Sequence, residues 1–300
     1  MGDMSLLQQT VSVSMLGISL NPKTETVSGA FQRYDAEQFA AYLNSSSAGR
    51  ALNPNGCSVF TSEESAETPG PQPEGVDAGI TRVSGPNGLD KEAPQAPESK
   101  ASNLVLPHPT SGPGLPSIPS IPGLPGIPGL PGTGGTPVDA ITNGLYTLTG
   151  EGGEGMGPFT AGIDVPDPLA WSNKDEPESS QIDRGAGLVF TWTGGGENDL
   201  VSATGISRGP APEHDTRTVA RVFVCMTPAV NGTLTVPAGI LAQMPASDGT
   251  NPESFGSVGL QHTPGEKSVV RIDAPLVEGG NLEAGYLNFA FGTTKTVSYQ

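Results

Sequence analysis

The stretch Leu145-Tyr146-Thr147-Leu148-Thr149-Gly150 is followed closely by Phe159-Thr160-Ala161-Gly162-Ile163-Asp164-Val165. In both, bulky apolar residues alternate with small or polar ones. Successive side chains on a strand point to opposite faces, so each segment is predicted to be a β-strand with one buried face. Upstream, Val11, Val13 and Met15 alternate with Ser12 and Ser14 in the same way. Downstream, strand signals recur at Leu188–Thr193, Leu200–Ile206, Val219–Met226, Thr233–Pro237, 255–262 and 284–292. Turn sequences punctuate them, Gly85-Pro86-Asn87-Gly88 being the strongest. Short strands at roughly 10–20-residue spacing, joined by Gly/Pro turns, predict an all-β chain of two Ig-like antiparallel β-sandwich modules.

Composition supports this reading. The chain has 300 residues with 42 Gly and 30 Pro, and only 15% are charged. Long amphipathic helices need many Lys, Arg and Glu on their outer faces, which this chain cannot supply. One short helix is predicted over 35–44, with Asp35 as N-cap and Phe39, Tyr42 and Leu43 on one face. The expected organisation is an N-terminal strand and helix over 1–50, a first sandwich over 51–166 and a second over 167–300, with Pro166 and Pro168 at the junction.

The first module carries a Pro/Gly-rich insertion at 108–137. From Gly114 it has a strict three-residue period, but Ser117 and Ser120 stand where collagen requires Gly, leaving three unbroken triplets from Gly123 to Pro131. A stiff polyproline-II loop is expected, and oligomerisation through it is not. The acidic, Pro-rich stretch Ser62–Glu74 reads as a solvated loop.

With 14 basic against 31 acidic residues the net charge is −17. Nucleic acid needs clustered Lys and Arg, so it is not an expected partner. No run of about 20 apolar residues could span a membrane as a helix. Met1-Gly2-Asp3-Met4 lacks the basic start and apolar run of a signal peptide, so the expectation is a mature form, a fragment or a mis-started frame.

The two cysteines, Cys57 and Cys225, each sit in an apolar strand-like run. They are either buried thiols or one disulfide, according to compartment. Closing so long a loop would stabilise the fold by roughly 4–5 kcal/mol in the chain-entropy model.

Candidate chemistry is sparse. Gly194-Gly195-Gly196 lacks the Gly-Lys-Ser/Thr of a phosphate loop and runs into Glu197-Asn198-Asp199, so a hairpin turn is expected. No Gly-x-Ser-x-Gly elbow accompanies His108, His214 or His262. His214 beside Asp215 reads as an exposed pair and His262 as a surface residue. Carboxylate pairs occur at Glu151/Glu154, Asp164/Asp167, Asp175/Glu176 and Glu197/Asp199, but without the Asp-x-Asp-x-Asp-Gly spacing of a calcium loop. No cofactor is expected, and Ca²⁺ is the weak alternative. Trp192 lies in phase with Phe190 and should be core. Trp171, beside the proline junction, is the candidate for ligand stacking or for a wedge between modules.

A resemblance adds to this. Gly144–Gly150, Gly157-Pro158-Phe159-Thr160, Pro168–Asn173, Phe190–Gly196, Val222–Cys225, Gly232–Ala238, Leu241–Pro245 and Gly256–Leu260 follow one another in a familiar order. Upstream, Gly56–Val59, Val76–Gly79 and Val83–Gly88 join the series. Together they resemble a family of uncharacterised secreted acidobacterial proteins with Ig-like sandwich modules. The resemblance implies the fold and secretion and brings no activity. The expected role is an extracellular or cell-surface structural or adhesive protein without catalysis, meeting a protein or glycan partner. A carbohydrate-binding module is the alternative, and a secreted hydrolase is third.

Overall fold

The computed structural model describes residues 2–15, 18–20, 23–34, 56–62, 74–106, 110–111, 136–137, 141–176, 180–212, 214–248, 254–265 and 269–300. The predicted helix at 35–44 and most of the Pro/Gly-rich insertion lie outside these residues. So does nearly all of the acidic stretch after Ser62.

The described chain is nearly all β, as the alternation requires. Its largest sheet runs, edge to edge, through β4 (Cys57–Ser62), β17 (His214–Pro228), β16 (Leu200–Ala211), β19 (Phe255–Thr263), β21 (Gly285–Tyr299), β1 (Gly2–Met15), β3 (Lys23–Arg33) and β5 (Glu74–Gly75). On its margins β2 (Ile18–Leu20) pairs with β1, β8 (Ser102–Val105) with β3, and β14 (Gln181–Ile182) and β20 (Val269–Arg271) with β21. A four-stranded sheet has the order β12 (Phe159–Val165), β11 (Gly144–Gly150), β6 (Thr81–Gly85), β7 (Leu89–Ala93). A three-stranded sheet joins β13 (Ala170–Trp171), β15 (Leu188–Thr193) and β18 (Thr233–Val236). Finally β9 (Thr110–Ser111) pairs with β10 (Thr136–Pro137), so the two flanks of the Pro/Gly-rich segment meet.

Among the described residues two pairings are parallel, β1 with β21 and β14 with β21, where antiparallel sheets alone were expected. Sequence period fixes which face a residue takes but not which strand lies beside it. The α-helix among the described residues, α1 (Ala238–Leu241), falls in a segment not predicted as helix, with Pro237 as its extended N-cap.

Two hydrophobic clusters fill the space between the sheets. In the first, Tyr146, Leu148, Phe159, Ile163 and Val83 from the four-stranded sheet meet Val27, Phe31, Leu287, Phe289 and Phe291 from the large one. β12 alternates buried and exposed along its whole length, as its sequence dictates. In the second, Leu188, Phe190, Trp192, Leu234 and Val236 from the three-stranded sheet face Val201, Ala203, Phe223, Val258, Leu260, Val297 and Tyr299. Each side chain of this size buried contributes about 1.5–3 kcal/mol through removal from water. β21 supplies residues to both clusters.

The expected turn at Pro86-Asn87-Gly88 joins β6 to β7, with Asn87 at φ 58° and Gly88 at φ 75°. Close approach explains another glycine. Gly79 has φ 69°, and a Cβ placed there would collide with the carbonyl of Gly152.

Candidate functional site

The polar groups of most interest lie on the inward face of the large sheet. Along β19, His262 falls in phase with Val258 and Leu260, which places it inside rather than on the surface where it was expected. It is only 2% exposed. Its Nε2 lies 2.9 Å from Asp199 Oδ2, and its ring stacks on Phe291, its cross-strand partner, at 5.7 Å and 6°.

Asp199 gathers three groups. Its Oδ2 also accepts the Gly196 N–H at 2.6 Å, and its Oδ1 accepts the Gly265 N–H at 2.8 Å. Burial acts to raise the carboxyl pKa. The hydrogen bonds from Gly265 and Gly196 and the His262 ring outweigh it and hold the group below its ordinary value. Gly194 and Gly195, both at positive φ, turn the chain before Asp199. The glycine run is therefore not a hairpin. It carries the chain from β15 in the three-stranded sheet to β16 in the large one, and Asp199 pins that link to β19.

His262 Nδ1 is buried and has no hydrogen-bond partner. The ring lines a cavity of about 10 Å³ with Leu169, Trp171, Leu260, Phe291 and Thr293. That volume holds about one water molecule and no organic substrate. A His–Asp pair can serve as a proton relay, but here the carboxylate and imidazole are engaged in closing a turn.

Trp171 stands opposite Trp192 in the β13–β15 pair. Its ring is partly buried, 5.1 Å from Phe190 and tilted by 34°, and its Nε1–H donates to Asn173 Oδ1 at 2.8 Å. Asn173 Oδ1 also accepts the Thr191 N–H, fixing β13 against β15. Trp192 is 4% exposed, in phase with Phe190, and its Nε1–H donates to the Ala229 carbonyl at 2.8 Å.

Lys295 is a buried cation that the sequence reading did not single out, although it is in phase with Phe291 and Val297. Its Nζ donates to the Lys174 carbonyl at 2.6 Å. Burial lowers its pKa, while Asp175 acts in the opposite sense.

Cys57 and Cys225 are opposite each other across β4 and β17 and form a disulfide, with their Cα atoms 4.0 Å apart. The bridge borders a groove of about 500 Å³ lined also by Met226, Leu234, Pro237 and Ile240. A second groove of about 340 Å³ is lined by Asn173, Glu176, Gln181, Asp183 and Leu188. Among the described residues no three His, Cys, Asp or Glu side chains gather as a metal site. No helix among them is long and apolar enough to cross a membrane. His108 and the side chain of His214 lie outside the described structure.

These features define an acidic, disulfide-linked, nearly all-β protein. No protein-family model matches the chain, and no curated protein matches it. Among solved structures, a DUF3823 family protein from Bacteroides ovatus ATCC 8483 is similar over 78% of this chain and 99% of that one, at 10% identity and a TM-score of 0.16. Neither the identity nor the geometry suffices to carry a role from one chain to the other.

Proposed function

We propose that this chain is an extracellular or cell-surface structural or adhesive protein, built of two Ig-like sandwich modules and acting without catalysis. The observation that carries the reading is the Cys57–Cys225 disulfide, which ties edge strand β4 to the body of the large sheet. Such bonds persist in oxidising compartments and are reduced in the cytosol. The net charge of −17 suits a solvated exterior. The two hydrophobic clusters, one under each smaller sheet, support a pair of modules that share β21. The ladder between β9 and β10, which brings Thr110–Ser111 beside Thr136–Pro137, is consistent with the 108–137 segment being an insertion within one module. The partner is a protein or a glycan met at that surface.

Surface labelling of intact source cells with a membrane-impermeant amine reagent, followed by mass spectrometry with and without reduction, tests this. Labelled protein with Cys57 and Cys225 bridged is the expected result. Protein confined to the cytosol with both thiols free would end the proposal.

A further inference from the structure

We infer that β1 and β21 form a mechanical clamp, which makes the chain resist tension that draws Asp3 away from Gln300. This goes beyond the surface role proposed above and requires only the topology. The two strands run parallel in unbroken register, from Gly2 opposite Gly285 to Ser12 opposite Lys295. In a parallel pair, the start of one strand and the end of the other lie at opposite ends of the ladder. Asp3 stands opposite Tyr286, and Gln300 follows the end of β21 at Tyr299. At about 3.3 Å per residue, the two points are about 45 Å apart along the strand direction.

A pull between them is therefore directed along the strands, while the inter-strand hydrogen bonds run across. The bonds are evenly spaced in a parallel ladder and share the load, so they must fail together. Neighbours reinforce the pair. β1 is also held by β3, from Gly2 opposite Phe31 to Thr10 opposite Lys23. β21 is held by β19, from Gly256 opposite Val297 to His262 opposite Phe291. Sliding β21 also drags Leu287 and Phe289 through one cluster and Val297 and Tyr299 through the other.

The same ladder offers its own control. Asp3 and Tyr286 are register partners at one end, so a pull that separates them acts across the strands and opens the bonds one after another. The disulfide lies elsewhere, on β4 and β17, and takes the segment between its cysteines, a sequence separation of 168, out of the chain that tension can extend.

The test is single-molecule force spectroscopy on the oxidised full chain. Bio-orthogonal handles replace Asp3 and Gln300 in one preparation and Asp3 and Tyr286 in the other; Tyr286 is exposed and accommodates a handle. Forced unfolding reports the unfolding barrier along the direction pulled. At one pulling speed, the rupture force for Asp3–Gln300 should be several-fold that for Asp3–Tyr286. Reducing Cys57–Cys225 should leave that force unchanged while lengthening the released chain by about 60 nm. Equal forces in the two geometries would overturn the inference. So would a rupture force that falls on reduction, since the resistance would then reside in the β4–β17 cross-link.

Discussion

Asp199 Oδ2 lies 2.9 Å from His262 Nε2, and through this contact the link between the second cluster's two sheets is fastened to β19. Replacing Asp199 with Ala leaves the Gly196 and Gly265 N–H groups and the imidazole without an acceptor. An unpaired buried donor costs about 1–3 kcal/mol; of the three only the His262 ring is fully buried, while the Gly265 contact is partly buried and Gly196 is exposed to water, so a total loss of about 1–3 kcal/mol is expected. Asp199→Asn keeps one acceptor oxygen and should lose roughly half as much. Urea midpoints of the three proteins decide the matter, and an unchanged midpoint for Asp199→Ala would show that the contact holds nothing.

The same carboxyl predicts a pH dependence. Its folded pKa lies below the ordinary 3.8 because its N–H donors and His262 outweigh its burial. A group depressed in the folded state contributes stability above its unfolded pKa and loses that contribution as the pH falls through the folded value. The Asp199 contribution should therefore be constant from neutrality down to about pH 4 and fade below it. Other carboxyls titrate in this window too, so the informative quantity is the difference from Asp199→Asn. That difference should shrink on acidification; a constant difference down to pH 2 would refute the assignment.

The disulfide should dominate stability among single covalent features. It closes a loop with a sequence separation of 168. Chain entropy puts its removal at about 5 kcal/mol, with any residual order in the unfolded chain making the loss smaller. Cys57→Ala with Cys225→Ala, compared with the oxidised parent by denaturant titration, provides the measurement. A loss below about 1 kcal/mol would mean that the unfolded chain is already constrained.

The two tryptophans should respond differently to the same change. Trp192→Phe strips the donor from the buried Ala229 carbonyl and should cost about 1–3 kcal/mol. Trp171→Phe removes a donor from Asn173 Oδ1, which retains the Thr191 N–H, so its cost should stay below about 1 kcal/mol. Thermal melts of the pair rank them, and the reverse order would contradict the hydrogen-bonding described.

Much of this architecture was readable from spacing. β11, β12 and β15 alternate as written, and Trp192 shares a face with Phe190 as their two-residue separation implies. The same rule could have placed His262 and Lys295 inside, because each is in phase with buried neighbours; His262, at the end of its strand segment, reads as a surface residue instead, and Lys295 draws no reading at all. Other features lay beyond the pattern. The parallel ladder joins strands from opposite ends of the sequence, and nothing in a two-residue period names a distant neighbour. The glycine run announced a turn, but whether the next strand pairs back or crosses to another sheet depends on contacts such as Asp199 with Gly265. The cysteines left two chemistries open until the β4–β17 register set them face to face.

β21 passes beneath both hydrophobic clusters, giving Leu287, Phe289 and Phe291 to one and Val297 and Tyr299 to the other. A substitution in β18 stays a local matter, whereas an insertion or deletion that shifts β21 is felt in both halves. The outer sheets are thus independent tenants of a common beam, and slipping that beam by one residue would turn both cores outward together.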